Sequence, residues 1–230
     1  ASLLTPQGKY LFEFIITKHK KGYFLECEKK IIDELFTKLN SYKFRSRVEI
    51  LNLSNEFVVA VLSREKFLTL ENNKDVLGYT NKFREDPIYL DPRHKDLGAR
   101  LITNLEKLHL SLKLLELKSS NLDEYYSASN KLGIPQINTD KLQNNLFGIE
   151  CNLNELNGID FKKGCYVGQE NTARIKLKDK LSKRLFPVEV IEGDLSKDNI
   201  IHHENTELGK VLINNKFPFA IIKFKDKNFE

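Results

Sequence analysis

The sequence contains few cysteines, the residues that cross-link small secreted domains, and it lacks long apolar runs. It contains no methionine, no tryptophan and only three cysteines in 230 residues. Cys27, Cys151 and Cys165 form no C-x-x-C pair, so neither a disulfide framework nor a zinc site is predicted. No apolar run approaches the ~20 residues of a membrane-spanning helix, and no signal peptide is visible. The expected location is therefore the cytoplasm, or the mitochondrial matrix if the source is eukaryotic.

The chain lacks the low apolar content and the high net charge that are typical of a disordered protein. Apolar residues make up 40% and charged residues 30% of the sequence, and a chain of this length can bury a core without metal or disulfide support. The net charge of +5 is mild and is typical of a lysine-rich solvated surface.

The hydrophobic pattern predicts an α+β chain with an antiparallel sheet. Predicted helices cover residues 28–39 and 121–132, and predicted strands cover 9–17, 23–27, 42–53, 57–62, 88–90 and 99–103. A long loop is expected at 71–87. Residues 108–114 alternate with a period of two, which favours a strand, although their leucines also fit a helix. After a basic linker at 176–184, the β-like runs 185–191, 209–213 and 219–224 predict a small all-β module.

The segment richest in chemistry is residues 158–174. Gly164 and Gly168 bracket Cys165, and because glycine tolerates positive φ, the cysteine is expected on a tight turn. A helix start and the neighbouring Lys163 would favour the thiolate, which is the form that reacts and binds metals. The spacing alone leaves open the alternative that this cysteine is a small buried residue.

This segment resembles a family signature. The run K-G-C-Y-V-G-Q-E followed by an arginine resembles the K-G-C-[FY]-x-G-Q-E-x-x-x-R signature of the YgfZ family, folate-binding proteins that assist iron–sulfur cluster assembly. They are relatives of the glycine-cleavage T-protein, an aminomethyltransferase. The matching residues are Lys163, Gly164, Cys165, Tyr166, Gly168, Gln169, Glu170 and Arg174.

Two other segments agree with the family. L-T-P-Q-G-K at residues 4–9 resembles its L-x-P-Q-G-K segment, and D-P-R at 91–93 with L-G-A-R at 97–100 resembles its D-P-R…L-G-x-R segment. The similarity covers most of the chain. Family members usually carry an opening segment before the P-Q-G turn, and we expect that this segment is missing here.

The resemblance implies T-protein-like antiparallel-sheet domains around a central channel, with a small C-terminal β-barrel. The implied regions are a sheet-plus-helix part of the folate-binding region at 1–53, a central α+β region at 54–175 and the barrel at 185–230. The implied cofactor is tetrahydrofolate or another reduced folate. The implied partners are iron–sulfur client enzymes, with no membrane, no direct nucleic-acid binding and a monomeric state.

The resemblance also implies roles for individual residues. Cys165 is the functional thiol, and the other signature residues shape its loop. Glu13 falls near the catalytic aspartate of the transferase, and Glu150 precedes the signature, so both are candidate folate contacts. For Glu13 the alternative is an outward-facing strand residue. Two departures concern folate contacts: Ser129-Asn130-Lys131 stands where relatives often have arginine, and Gly148 stands where proline is common.

Three functions are compatible with these residues. The first is an accessory factor for iron–sulfur enzymes, including radical-SAM enzymes that thiolate tRNA. The second is a tetrahydrofolate-dependent aminomethyltransferase, and the third is a nucleic-acid-binding module that would use the basic residues Arg174, Lys176, Lys178, Lys180, Lys183 and Arg184. Because the transferase needs no thiol in the signature, Cys165 favours the first, and a classical enzyme is not expected.

Overall fold

The computed structural model describes residues 1–177, 181–193, 198–203 and 206–224. Contacts divide the chain into a first unit, Ala1–Glu13 with Tyr125–Glu230, and a second unit, Phe14–Glu124. The three regions expected from the resemblance, at 1–53, 54–175 and 185–230, stay a prediction. Among the described residues, no helix has the length and apolar character to span a bilayer.

Twelve strands and five α-helices are found in the described residues. In chain order these are β1 (Ser2–Leu4), β2 (Tyr10–Glu13), β3 (Ile15–His19), β4 (Gly22–Glu26), α1 (Ile32–Lys43), β5 (Val58–Leu62), α2 (Arg64–Leu68), β6 (Thr80–Phe83), β7 (Asp86–Leu90), β8 (Ala99–Thr103), α3 (Leu105–Leu114), α4 (Leu122–Lys131), α5 (Gln169–Leu177), β9 (Lys183–Pro187), β10 (Ile200–His203), β11 (Thr206–Ile213) and β12 (Phe219–Lys223).

The second unit is built on a four-stranded antiparallel sheet in the order β5-β8-β7-β6. Its central strands β7 and β8 are buried along their whole length, because both faces of the sheet are covered. One face packs Ile88 and Leu101 against Phe67 of α2. On the other face, Tyr89 and Ile102 pack with the β3–β4 hairpin. The second strand of this hairpin is the one predicted at 23–27, whereas the strand predicted at 9–17 is divided into β2, which pairs with β1, and β3.

The segment D-P-R…L-G-A-R forms a buried ion network in the second unit. Arg93 donates from Nη2 to Asp91 Oδ2 at 2.7 Å, and Arg100 donates from Nε to Glu26 Oε2 at 3.0 Å. Tyr89 donates its hydroxyl to the same carboxylate oxygen. Burial works against ionisation of Asp91, but the guanidinium of Arg93 keeps the pKa of this carboxyl below its ordinary value. The network therefore pairs two arginines with two carboxylates away from water.

The first unit contains the β1–β2 pair and a second antiparallel sheet in the order β10-β11-β12-β9. Its core joins residues from both ends of the chain, among them Leu4 and Tyr10 with Leu185 and Ile213. The backbone of Tyr10 pairs with Leu146 through a 2.8 Å hydrogen bond, which attaches β2 to the stretch before the signature. Four strands of the C-terminal region form this sheet. The closed barrel expected from the resemblance stays a prediction.

Several predicted elements are confirmed and others are wrong. The helices predicted at 28–39 and 121–132 correspond to α1 and α4, and the strands at 57–62, 88–90 and 99–103 to β5, β7 and β8. The strand at 42–53 is wrong: α1 extends to Lys43, and the following stretch pairs with no described strand. The strand favoured at 108–114 is helix α3, and the loop at 71–87 contains β6.

Candidate functional site

The P-Q-G turn and the signature lie against each other in the first unit. The turn closes through hydrogen bonds from the Gly8 N–H to the Thr5 carbonyl and from the Thr5 N–H to the Lys9 carbonyl, both 2.8 Å long. It is followed by a bridge between Lys9 and Phe147. Asn171 of α5 donates its side-chain amide to the carbonyl of Gln7 at 3.1 Å. Two segments about 160 residues apart therefore form one site.

Two glycines make this close approach possible. Gly8 has a φ of +80° and Gly168 a φ of +83°, a region that residues with a Cβ rarely adopt. A Cβ on Gly168 would lie 2.5 Å from the Thr5 carbonyl oxygen and 2.9 Å from the Gly8 Cα. By contrast, a Cβ on Gly164 would have no atom within 4 Å. Of the two glycines that bracket Cys165, only Gly168 is required by packing.

Helix α5 begins directly after this contact. The Gln169 N–H donates to the Tyr166 carbonyl at 3.2 Å, and the buried hydroxyl of Thr172 donates to the Gly168 carbonyl at 2.8 Å. This bond to the carbonyl four residues earlier gives the buried hydroxyl a partner. Asn171 and Thr172 thus hold the site together, and neither was singled out from the sequence. The sequence feature that could have identified them is a pair of short polar side chains in the first turn of a helix.

Cys165 is the exposed thiol of the chain, whereas Cys151 is buried and Cys27 is half-buried. Burial, with the carboxylates of Glu26 and Glu28, raises the pKa of Cys27 to about 12. Burial also raises the pKa of Cys151 well above its ordinary value, and the carboxylates of Glu150 and Glu13 add to this shift. The two less accessible thiols are therefore held protonated, and Cys165 is the one presented to solvent.

Cation–π contacts hold the loop that carries Cys165. The Lys176 ammonium lies 3.7 Å from the centre of the Phe161 ring, and the Lys163 ammonium lies 5.4 Å from the Tyr166 ring. Tyr166 also packs on the core of the first unit. Burial raises the pKa of its hydroxyl, which has no hydrogen-bond partner among the described residues. The loop is therefore anchored on both sides of an exposed cysteine.

The exposed face of α5 carries signature residues and a shallow, open depression. Glu170 and Arg174 form the ion pair that their i, i+4 spacing predicts, with 2.7 Å between Oε1 and Nη2. An open depression of about 470 Å³ follows the helix and is lined by Gln169, Glu170, Ala173, Arg174 and Leu177. Three of its five lining residues belong to the signature.

Glu150 and Glu13, the two candidate folate contacts, lie near the buried Cys151. Glu150 accepts a 2.8 Å hydrogen bond from the Phe147 N–H, and its other oxygen lies 3.6 Å from the Lys183 ammonium. Burial raises the pKa of Glu150, although this hydrogen bond and the ammonium oppose the shift. Glu13 is half-buried and raises the pKa of Cys151 through its charge. The structure thus brings both carboxylates close to one buried thiol.

The basic residues considered for nucleic-acid binding do not form an open stripe in the part of the chain that the structure describes. Arg174 is paired with Glu170, Arg184 pairs with Glu155 at 2.8 Å, and Lys183 faces Glu150. Lys176 lies over an aromatic ring. Lys178 and Lys180 lie outside the described residues. These cationic groups interact with other groups of the chain, so fewer of them are available to bind phosphates.

An exposed thiolate can act as a nucleophile or as a ligand for iron. In the described part of the chain, no group of three histidine, cysteine, aspartate or glutamate side chains is placed to hold a metal. Iron–sulfur clusters are usually held by four cysteine ligands. Cys165 alone could supply one of the ligands of such a cluster.

Comparison with known proteins identifies relatives of one kind. The chain is 31% identical over 208 residues to "Iron-sulfur cluster assembly factor IBA57, mitochondrial" of Mus musculus, which covers 87% of this chain and 55% of the mouse protein. It is 29% identical over 198 residues to the Homo sapiens protein of that name, covering 84% of this chain and 53% of the human protein. This chain is similar to iron–sulfur cluster assembly factors.

A relative from a more distant organism is also named as an iron–sulfur cluster assembly factor. The chain is 28% identical over 181 residues to the IBA57 homologue of Dictyostelium discoideum, which covers 78% of this chain and 44% of that protein. The chain spans about half the length of the curated relatives it matches. No protein-family model matches it. The names of the relatives place them in mitochondria, as expected for a eukaryotic source.

Proposed function

We propose that this chain belongs to a YgfZ-type accessory factor that supports the assembly or repair of iron–sulfur enzymes. The observation that carries the proposal is the placement of Cys165. Its thiol is exposed on an anchored loop, while Cys27 and Cys151 are shielded and protonated. The similarity to proteins named as iron–sulfur cluster assembly factors supports the same function.

In this proposal, Cys165 binds iron of a cluster that a client or partner protein also holds. The thiolate is a soft ligand and suits iron–sulfur clusters. The contact between the P-Q-G turn and Gly168 fixes the base of the loop, and α5 begins directly after this contact. The clients include radical-SAM enzymes that thiolate tRNA, and in a eukaryotic source the site of action is the mitochondrial matrix.

The proposal includes a T-protein-like fold with a C-terminal barrel and a reduced folate as cofactor. Glu13 and Glu150 would hold it, because carboxylates accept hydrogen bonds from the amino and ring N–H groups of a pterin. Both belong to the first unit, and Glu150 is buried, which fits this role. A reduced folate carries one-carbon groups when it is bound, and the two carboxylates orient its pterin.

The proposed function is tested in a strain that lacks its own assembly factor. The measurement is the activity of iron–sulfur enzymes in that strain. We expect that the Cys165→Ala variant folds but restores none of this activity, because the ligand is lost. The matched control is Cys27→Ala, which removes a shielded thiol and should restore activity as the unchanged protein does. Normal client activity with Cys165→Ala, or turnover in an aminomethyl-transfer assay with glycine-cleavage partners, would overturn the accessory function.

The folate proposal is tested by thermal unfolding with tetrahydrofolate. A ligand that binds only the folded state at about 100 times its Kd stabilises the protein by about 2.7 kcal/mol. For a chain of this size, we expect the melting temperature to rise by about 5–10 °C. Glu150→Gln should reduce this rise, while Glu170→Gln on the exposed face of α5 should leave it unchanged. A melting temperature that does not move at a large excess of tetrahydrofolate would contradict folate binding.

A further inference from the structure

The tip of the β3–β4 hairpin in the second unit is basic and exposed. It carries three exposed lysines, Lys18 at the end of β3 and Lys20 and Lys21 in the two-residue loop, here called the tip lysines. Lys20 has a φ of +49°, a region in which tight hairpin loops usually place glycine or asparagine. Among the described residues, no tip lysine forms an ion pair. The loop therefore presents cationic groups at a position where another residue type would be more stable.

Cationic groups from neighbouring elements surround this tip. Burial lowers the pKa of His19, the last residue of β3, and the charge of Lys20 lowers it further. Lys107 of α3 and Lys82 of β6 act in the same direction, and the carboxylate of Asp86 opposes them. Asp86 is itself engaged, because it accepts a hydrogen bond from the Lys107 ammonium at 2.9 Å. Three ammonium groups therefore lie close enough to this imidazole to affect its charge.

An aromatic ring lies beside the tip lysines. Tyr23 of β4 faces Lys18 across the hairpin and is 66% exposed, so its ring is accessible to a ligand. Lysine ammonium groups bind phosphates, and an exposed aromatic ring stacks on bases of single strands. Binding to an anionic membrane would instead require apolar side chains at the tip, and residues 18–22 have the sequence K-H-K-K-G. The chemistry of the tip therefore favours a nucleic acid.

We propose that the tip of the β3–β4 hairpin binds single-stranded nucleic acid, with phosphates on the tip lysines and one base stacked on Tyr23. A regular duplex is excluded as the ligand, because its bases are stacked on each other and do not expose their faces. The proposal replaces the absence of direct nucleic-acid binding expected from the resemblance. It concerns the second unit alone and is independent of the function of Cys165.

The test titrates labelled RNA and DNA single strands of about 12 nucleotides with the purified chain and follows fluorescence anisotropy at several salt concentrations. We expect the logarithm of the affinity to fall with the logarithm of the salt concentration with a slope of about −2, since each of three phosphate contacts contributes about 0.7. Lys20→Gln/Lys21→Gln should weaken binding and reduce this slope by about 1.4. The matched control is Lys131→Gln/Lys141→Gln, which removes two exposed lysines of the first unit and should leave both quantities unchanged.

Stacking is tested separately at Tyr23. Tyr23→Ala should weaken binding at least about fivefold, which is the effect of removing one stack between a base and an aromatic ring. Tyr23→Phe keeps the ring and should retain the affinity of the unchanged protein. Because this side chain is exposed, neither change removes a residue from the core.

Absence of salt-dependent binding of both strands would overturn the proposal, as would binding that the lysine and alanine variants leave unchanged. A polyglutamate peptide that binds as tightly as the strands would overturn it in favour of an acidic protein segment. Binding to phosphatidylglycerol vesicles without binding to the strands would overturn it in favour of a membrane. Binding of either strand that the lysine and alanine variants weaken, and that Tyr23→Phe and the control variant retain, would support it.

Discussion

At the scale of single residues, one contact and one thiol define the candidate site. Gly8 and Gly168 allow the P-Q-G turn to lie against the start of α5, and positive φ at both positions is part of this geometry. Cys165 then lies three residues before Gly168, on a loop whose other anchors are cation–π contacts. The sulfur is thus exposed while the chain around it is fixed.

The contact predicts that Gly168→Ala is strongly destabilising. A Cβ in the left-handed region costs about 1–2 kcal/mol, and this Cβ would also meet the Thr5 carbonyl oxygen at 2.5 Å. We expect a total loss of at least about 2 kcal/mol, measured as a lower free energy of unfolding in urea.

The matched control is Gly164→Ala, on the other side of the same cysteine. No atom lies within 4 Å of its added Cβ, so the change in stability should stay within about 0.5 kcal/mol. Equal losses for the two alanine variants would show that the contact between the turns does not stabilise the first unit.

At the scale of elements, the buried ion network connects β4, β7 and β8 of the second unit. Arg100 of β8 bonds Glu26 at the end of β4, and one of its amino groups lies 3.4 Å from Asp91. Gly98, at the start of the L-G-A-R segment, has a φ of +76°, and a Cβ there would overlap the Leu62 carbonyl. The residues of the D-P-R…L-G-A-R segment therefore stabilise the sheet of the second unit.

The network predicts a large effect of Arg100→Met. Removing Arg100 leaves the carboxylate of Glu26 without its arginine, while Asp91 keeps Arg93, and an unpaired buried charge typically costs about 3–5 kcal/mol. We expect the melting temperature to fall by about 10 °C. The double variant Glu26→Gln/Arg100→Met should recover part of this loss, because it removes the unpaired charge.

Arg174→Met is the control for the loss of an arginine. Its ion pair with Glu170 is exposed on both sides, so we expect a loss below about 1 kcal/mol. A similar melting temperature for Arg100→Met and Arg174→Met would contradict the structural role of the network.

The helices and strands differ in how well they can be predicted from the sequence. Helix α1 was predictable because its apolar residues recur at spacings of three and four. The stretch L-H-L-S-L-K-L carries leucines that fit both periods, and the deciding signal is the preceding Asn104, whose side chain accepts from the Lys107 N–H at 2.8 Å as a helix cap. The predicted strand at 42–53 failed because β propensity does not specify a pairing partner.

The site was predictable only in part. The signature residues, including the Glu170–Arg174 pair, follow from sequence spacing and resemblance. The contact between Gly8 and Gly168 could not be predicted, because it joins positions 160 residues apart through tertiary packing. The burial of Cys151 could not be predicted either, since exposure depends on what packs around the thiol.

At the scale of the whole chain, the signature, the P-Q-G turn, Glu13 and Glu150 all belong to the first unit. The second unit is inserted between Glu13 and Tyr125 and carries the ion network and the basic tip of the β3–β4 hairpin. The residues assigned to function therefore come from the two ends of the sequence, and they converge because β1, β2 and the P-Q-G turn pack with the segments on either side of the signature.

The central claim is that the exposed thiol of Cys165 supports the assembly of iron–sulfur enzymes. The most direct test alkylates the folded protein with iodoacetamide for increasing times, measures modification of each cysteine by mass spectrometry, and assays the treated protein for activation of an iron–sulfur enzyme. We expect Cys165 to react first, and the support to fall in proportion to its modified fraction while Cys27 and Cys151 remain unmodified. Full support from protein with Cys165 completely alkylated would contradict the claim.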